Sequence, residues 1–128
     1  MPYTKINKAQ ETMTIAIETN YSQMCYDLAD ELNNRWKVDA IESNNSFYHK
    51  LEVEVAKKYV KIWVTHVPFK GDSKLPSRSI WMFVGKEDGF CYKPASTKAP
   101  AKGVRFGLYQ LLAYPETCDK FGSFLYRR

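Results

Sequence analysis

LEVEVAKKYVKIWVTHV, residues 51–67, is the stretch that separates a sheet protein from a helical one. Its opening alternates strictly, with Leu51, Val53 and Val55 to one side and Glu52 and Glu54 to the other. After Lys57-Lys58 the alternation resumes, with Val60, Ile62 and Val64 set against Tyr59, Lys61, Trp63 and Thr65. A helix would bring residues three and four apart onto one face and mix the valines with the charges. A period of two in β-branched residues keeps them apart. The stretch therefore reads as a β-hairpin turning at the two lysines. Its outer face sets Glu52 and Glu54 near Lys61, a cross-strand match worth from a few tenths to about 1 kcal/mol.

Working outward, SIWMFV (79–84) and GFCYK (89–93) read as a second hairpin, joined by Gly85-Lys86-Glu87-Asp88-Gly89 with its Asp-Gly turn signal. Ile80, Met82 and Val84 should share one face, and Trp81 and Phe83 the other. Both faces are apolar, which marks a central hairpin covered on both sides. Upstream, SQMCYDLADELNNRW (22–36) places Cys25, Leu28, Ala29, Leu32 and Trp36 at helical spacing, with Asp27, Asp30 and Glu31 opposite and N-cap candidates in residues 19–22. Residues 37–46, rich in Ser and Asn, read as a connection, and Met13–Glu18 as a short strand. Downstream, Val104, Leu108, Leu111 and Leu112 fit a short helix ended by Pro115, and Phe121, Phe124 and Tyr126 should tie the tail to the core.

The predicted fold is α+β. After an arm at residues 1–12, a single domain over residues 13–128 holds an antiparallel sheet of about four strands, formed by two hairpins and packed against one main helix, with a short C-terminal helix. The chain has 128 residues with nine Tyr, seven Phe and three Trp, enough apolar bulk for one core and against disorder. Its net charge of +5 is uneven. Residues 1–64 hold eight Lys/Arg and nine Asp/Glu, whereas residues 65–128 hold eleven and five, so the second half is the candidate for a polyanionic partner.

Most chemistries find no support. Cys25, Cys91 and Cys118 are far apart, odd in number and without a CxxC pair, so a disulfide framework is not expected and a reducing cytoplasm fits. A nucleophilic Cys91 would need His66 as a neighbouring base, and structural cysteine is the simpler reading. Neither CxxC nor HxxxH spacing occurs, so no metal ligands are assigned. The carboxylate pairs Glu52/Glu54, Asp30/Glu31 and Glu87/Asp88 fall on outward faces or in a turn. The glycines form no phosphate loop, and no cofactor is expected. No apolar run approaches the length of a membrane span. The expectation is a non-enzymatic protein that does not insert into membranes.

What remains is a basic region around YKPASTKAPAKGVRFG (92–107), which has no acidic residue between Asp88 and Glu116. Tyr92, Lys93, Lys98, Lys102 and Arg105, joined by Lys74 and Arg78 from the preceding loop, are the candidate nucleic-acid-binding residues. Cations suit phosphates, and a flat side chain suits an unpaired base of DNA or RNA. Pro94 and Pro100 restrict the loop. The competing reading is a protein-interaction module. Its surface would be the acidic helix face or the strand face carrying Tyr59 and Trp63.

FVGKEDGFCYKPASTKAPAKGVR (83–105) resembles a segment of small uncharacterised proteins of tailed bacteriophages, with the pattern FV-x4-G-x2-YK-x-A-x3-APAK-x2-R. Phe83, Val84, Gly89, Tyr92, Lys93, Ala95, Ala99, Pro100, Ala101, Lys102 and Arg105 carry the match, while Thr97 stands where those proteins usually have an aromatic. The resemblance covers about residues 79–110. It implies a phage accessory protein working in the cytoplasm of the infected host or in the virion, with no assigned activity and no catalytic residues. It would also make the competing protein-interaction module an inhibitor of a host enzyme or a virion component.

Overall fold

The computed structural model describes residues 20–70 and 77–126. The arm at residues 1–12, the strand expected at Met13–Glu18 and the candidate Lys74 lie outside them. The chain runs α1 (Tyr21–Glu42), β1 (Phe47–Val55), β2 (Tyr59–Pro68), β3 (Arg78–Gly85), β4 (Phe90–Tyr92), β5 (Phe106–Gly107) and α2 (Leu108–Ala113). Two 3₁₀ turns follow, Pro115–Thr117 and Ser123–Tyr126. The strands form one antiparallel meander in the order β1-β2-β3-β4-β5. The α+β architecture with one main helix stands, and the sheet has five strands rather than about four.

Helix α1 starts where its cap predicts, the Asn20 side chain accepting the Gln23 N–H at 3.0 Å. It continues past Trp36 to Glu42, through residues that read as a connection. Leu32, Trp36 and Ala40 extend the i, i+4 stripe, and Ala40 is buried. The polar composition of 37–46 thus marks an exposed face and not a break. The helix closes with Asn44 in the left-handed region at φ 59°. Asn45 N donates to Ala40 O at 2.9 Å and Asn44 N to Ile41 O at 3.0 Å, a pattern in which Asn stands where Gly is usual.

The first hairpin forms with Leu51 opposite Val64 and Glu54 opposite Lys61, but the expected charge match is not made. Glu52 lies opposite Trp63, the Glu54 carboxylate turns to Trp63 and Arg78, and Lys61 donates to the Thr97 carbonyl. The second departs from simple alternation. Ile62 pairs with Met82 and Trp63 with Ile80, so Trp81 is an extra, unpaired residue on β3. This bulge sends Trp81, expected to share the face of Phe83, into the helix-side cluster with Met82 and Val84, whereas Ile80 joins Trp63 on the outer face. Trp81 there meets Trp36 edge-on at 5.9 Å and Phe124 at 5.2 Å, and donates to Asp119 O at 3.1 Å.

The core lies between α1 and the sheet, built on Cys25, Leu28 and Leu32 against Val60, Ile62, Met82 and Val84, and closed by Leu108, Leu111, Phe124 and Leu125. A helix starting near Val104 is not what forms. Phe106 pairs with Cys91 and Gly107 with Phe90, and α2 begins only at Leu108. Of the three tail aromatics, only Phe124 is buried. Phe121 and Tyr126 are exposed, and Leu125 supplies the second anchor.

Candidate nucleic-acid interface

Residues 93–101 are not a free crossover. Ala101 N donates to Lys93 O at 2.8 Å, and Pro94 bridges Pro100. At the tip, Ala95 N and Ser96 N donate to Ala99 O, and Ser96 Oγ accepts from Lys98 N at 3.1 Å. The prolines thus sit at the neck of a closed loop. Lys61 reaches from β2 to donate through Nζ to the Thr97 carbonyl at 3.0 Å. Lys61, Phe83 and Tyr92 are successive partners across β2, β3 and β4, so the Lys61 stem and the loop together span about 10 Å of sheet to make that bond. Phe83, an apolar side chain on the outer face, is fully buried, with the Tyr59 ring edge-on at 5.7 Å and the Lys61 ammonium 5.9 Å from its ring centre.

Folding separates the candidate residues. Tyr92 lies half-buried and meets Tyr59 edge-on at 6.1 Å, and burial, with Asp88 adding, pushes its phenol pKa up, so it stays neutral. Lys98 is exposed at the loop tip, and Lys102 is exposed just beyond the neck. Lys93 turns away, its Nζ 4.6 Å from the Tyr126 ring centre. Arg105 is half-buried with a buried Nε that has no hydrogen-bond partner, and its backbone amide donates to Cys91 O at 2.8 Å. Arg78 is committed elsewhere, its guanidinium 3.8 Å from the Trp63 ring centre and 4.0 Å from Glu54.

Trp63, expected as an exposed interface residue beside Tyr59, is 8% exposed. It lies under Arg78 and donates from Nε1 to Glu54 at 2.8 Å. Tyr59 turns from it toward Phe83 and Tyr92.

Three lysines not singled out from the sequence complete the site. A cleft of about 610 Å³ is lined by Lys57, Lys58, Tyr59, Lys86, Glu87 and Tyr92, among others. The turn after β1 brings Lys57 and Lys58, with Lys58 Nζ 5.6 Å from the Tyr59 ring centre. The turn after β3 brings Lys86, whose Nζ donates to Ala56 O at 3.0 Å and ties the two turns together. The doublet at 57–58 is the available sequence signal, masked by its simpler reading as a turn. The result is a pair of half-buried tyrosines with lysines from two turns around them.

The other places where chemistry was conceivable are closed or incomplete. Cys91 is fully buried opposite Val84, which faces Val60, six residues along β2 from His66 and so about 20 Å away. Burial pushes the Cys91 thiol far up, and the Cys25 and Cys118 thiols to about 12. All three are packing residues. His49 and His66 line a separate cleft without Cys91 and without a carboxylate. Burial and the neighbouring His66 push His49 down to about 4.

The chain is thus an α+β protein whose sheet is sealed by a helix on one face and tied to a basic loop through Lys61 on the other. It belongs to DUF7717, a family of unknown function matched over residues 1–127. No curated protein and no solved structure matches it. No helix among the described residues is long and apolar enough to cross a membrane.

Proposed function

We propose that this protein binds single-stranded nucleic acid at the Tyr59–Tyr92 cleft, in the role of a bacteriophage accessory protein. The observation that carries the reading is the convergence of Lys57, Lys58 and Lys86 around two tyrosines whose rings meet at 6.1 Å. Cations at the rim suit phosphates, and the exposed parts of the rings suit bases, an arrangement that tolerates any sequence. Lys98 and Lys102 extend the basic track beyond the cleft. Glu87 and Asp88, next to Lys86 in the same turn, also line the cleft and limit how closely a backbone can approach there.

A labelled oligothymidylate titrated into the protein across a salt series tests this. Binding should weaken as salt rises, and Lys58→Glu with Lys98→Glu should flatten the slope by about 0.7 for each phosphate no longer neutralised. Tyr92→Leu should weaken binding by about tenfold while leaving the slope unchanged. Absence of binding by the wild type at low salt would overturn the reading.

A second reading, docking on a protein, is favoured by one observation. Tyr109 and Tyr114 are 68% and 64% exposed around α2 and are not among the residues that line the cleft. A host or virion partner held there would survive nuclease treatment and be lost in Tyr109→Ser with Tyr114→Ser.

A further inference from the structure

His49 and His66 stand directly opposite each other on β1 and β2, with their Nε2 atoms 3.1 Å apart and their rings at 88°. The ladder itself brings them close. Leu51, two residues from His49, turns its N–H and C=O away from β2 toward Asn33. His49 and His66 therefore form a non-hydrogen-bonded pair, the kind whose side chains stand nearer. Aromatic neighbours fix the rings: Phe47 lies 5.7 Å from His49 and 5.1 Å from His66, and Phe121 closes on His49 at 5.4 Å.

That separation suits one hydrogen bond between neutral imidazoles, and it also suits two ligands of one ion. With metal–nitrogen bonds of about 2.0–2.1 Å, nitrogens 3.1 Å apart subtend about 98° at the ion, between the octahedral and tetrahedral angles. The pair borders a cleft of about 320 Å³ that also has Ser79, Lys120 and Tyr126 in its wall. Among the described residues no group of three or more His, Cys, Asp or Glu is placed to hold a metal. Any ion here would keep open positions toward the cleft. We propose that His49 and His66 form a two-imidazole site for a divalent ion of the Zn²⁺, Ni²⁺ or Cu²⁺ class, its remaining positions taken by water or a small ligand. Two nitrogens and no carboxylate exclude the oxygen-seeking ions Mg²⁺ and Ca²⁺. The site left no trace as a spacing motif because strand register, not sequence distance, joins its ligands.

The test is calorimetric titration of ZnCl₂, NiCl₂ and, as a control, MgCl₂ into the untagged full chain at pH 7.5, with circular dichroism to confirm the fold of each variant. One Zn²⁺ or Ni²⁺ per chain should bind, and Mg²⁺ should not. His66→Gln, at an exposed position, should weaken binding by about tenfold or more with the fold intact, and His49→Gln should do the same. Failure of the wild type to bind, or binding unchanged in folded His66→Gln, overturns the site and leaves the pair as a hydrogen bond.

Discussion

Asn33 on α1 and Leu51 on β1 are joined in both directions: Leu51 N donates to Asn33 Oδ1 at 2.7 Å, and Asn33 Nδ2 donates to Leu51 O at 3.1 Å. The side-chain amide takes the place of a neighbouring strand at the midpoint of β1, which is the open edge of the sheet. Edges left unpaired are templates for another chain. Asn33→Ala should lower stability by about 1–3 kcal/mol, as two partly buried backbone groups lose their partner. In urea the midpoint should fall with an unchanged slope. Size-exclusion chromatography should show concentration-dependent self-association, and unchanged behaviour in both would mean that the amide protects nothing.

The Asn33–Leu51 pair also shows what the sequence could and could not reveal. Leu51's inward direction is legible from alternation, and the start of α1 from Asn20. Asn33 reads only as a weak helix residue, because its value lies in what it meets 18 positions away. The bulge at Trp81 is hidden for a related reason: when both faces of a strand are apolar, a one-residue slip leaves the pattern unchanged. Phe106–Gly107 is too short to carry a period. At the candidate site, Tyr92 and the loop lysines stand out by charge, whereas Lys57, Lys58 and Lys86 gain meaning only when two turns end at the same rim of the sheet.

Gly89 is required by both conformation and space. Its φ is +71°, and a Cβ there would run into the Tyr21 ring. Gly103 shares the first constraint at φ +99° but faces open space. Gly103→Ala should therefore cost only backbone strain, about 1–2 kcal/mol. Gly89→Ala should cost more, since the Tyr21 ring must also shift. Thermal unfolding of the two variants ranks them, and equal losses would remove the steric part of the argument.

Asp119 organises the tail. Its carboxylate accepts from Phe121 N, Ser123 N, Ser123 Oγ and Phe124 N, which fixes the turn that seats Phe124 and Leu125 in the core. Burial opposes its ionisation, but the hydrogen bonds from Ser123, Phe124 and Phe121 outweigh burial and hold its pKa below the ordinary carboxylate range. A folded pKa below the unfolded one contributes stability that is fully present above about pH 4 and is lost as pH falls from there through the folded value. Asp119→Asn should destabilise the protein at neutral pH and flatten this acid-side decline, measured as melting temperature against pH. A variant whose decline parallels the wild type would assign that acid sensitivity to other carboxylates.

Lys61 links the fold to the proposed interface. Its ammonium lies 5.9 Å from the centre of the fully buried Phe83 ring and holds the Thr97 carbonyl. Lys61→Met keeps an apolar stem over Phe83 but removes the donor, so the cost in stability should be near 1 kcal/mol, roughly that of a single exposed hydrogen bond. The larger effect should fall on loop order. Amide exchange at Ala101 and Ala95, whose N–H groups close the neck and tip, should quicken by more than the loss in global stability, while exchange in β2 and β3 tracks that loss alone. If the loop amides slow or stay unchanged, the prolines hold the loop unaided. If they quicken and oligothymidylate affinity falls more than the removal of one charge explains, the ordered loop is part of the binding surface.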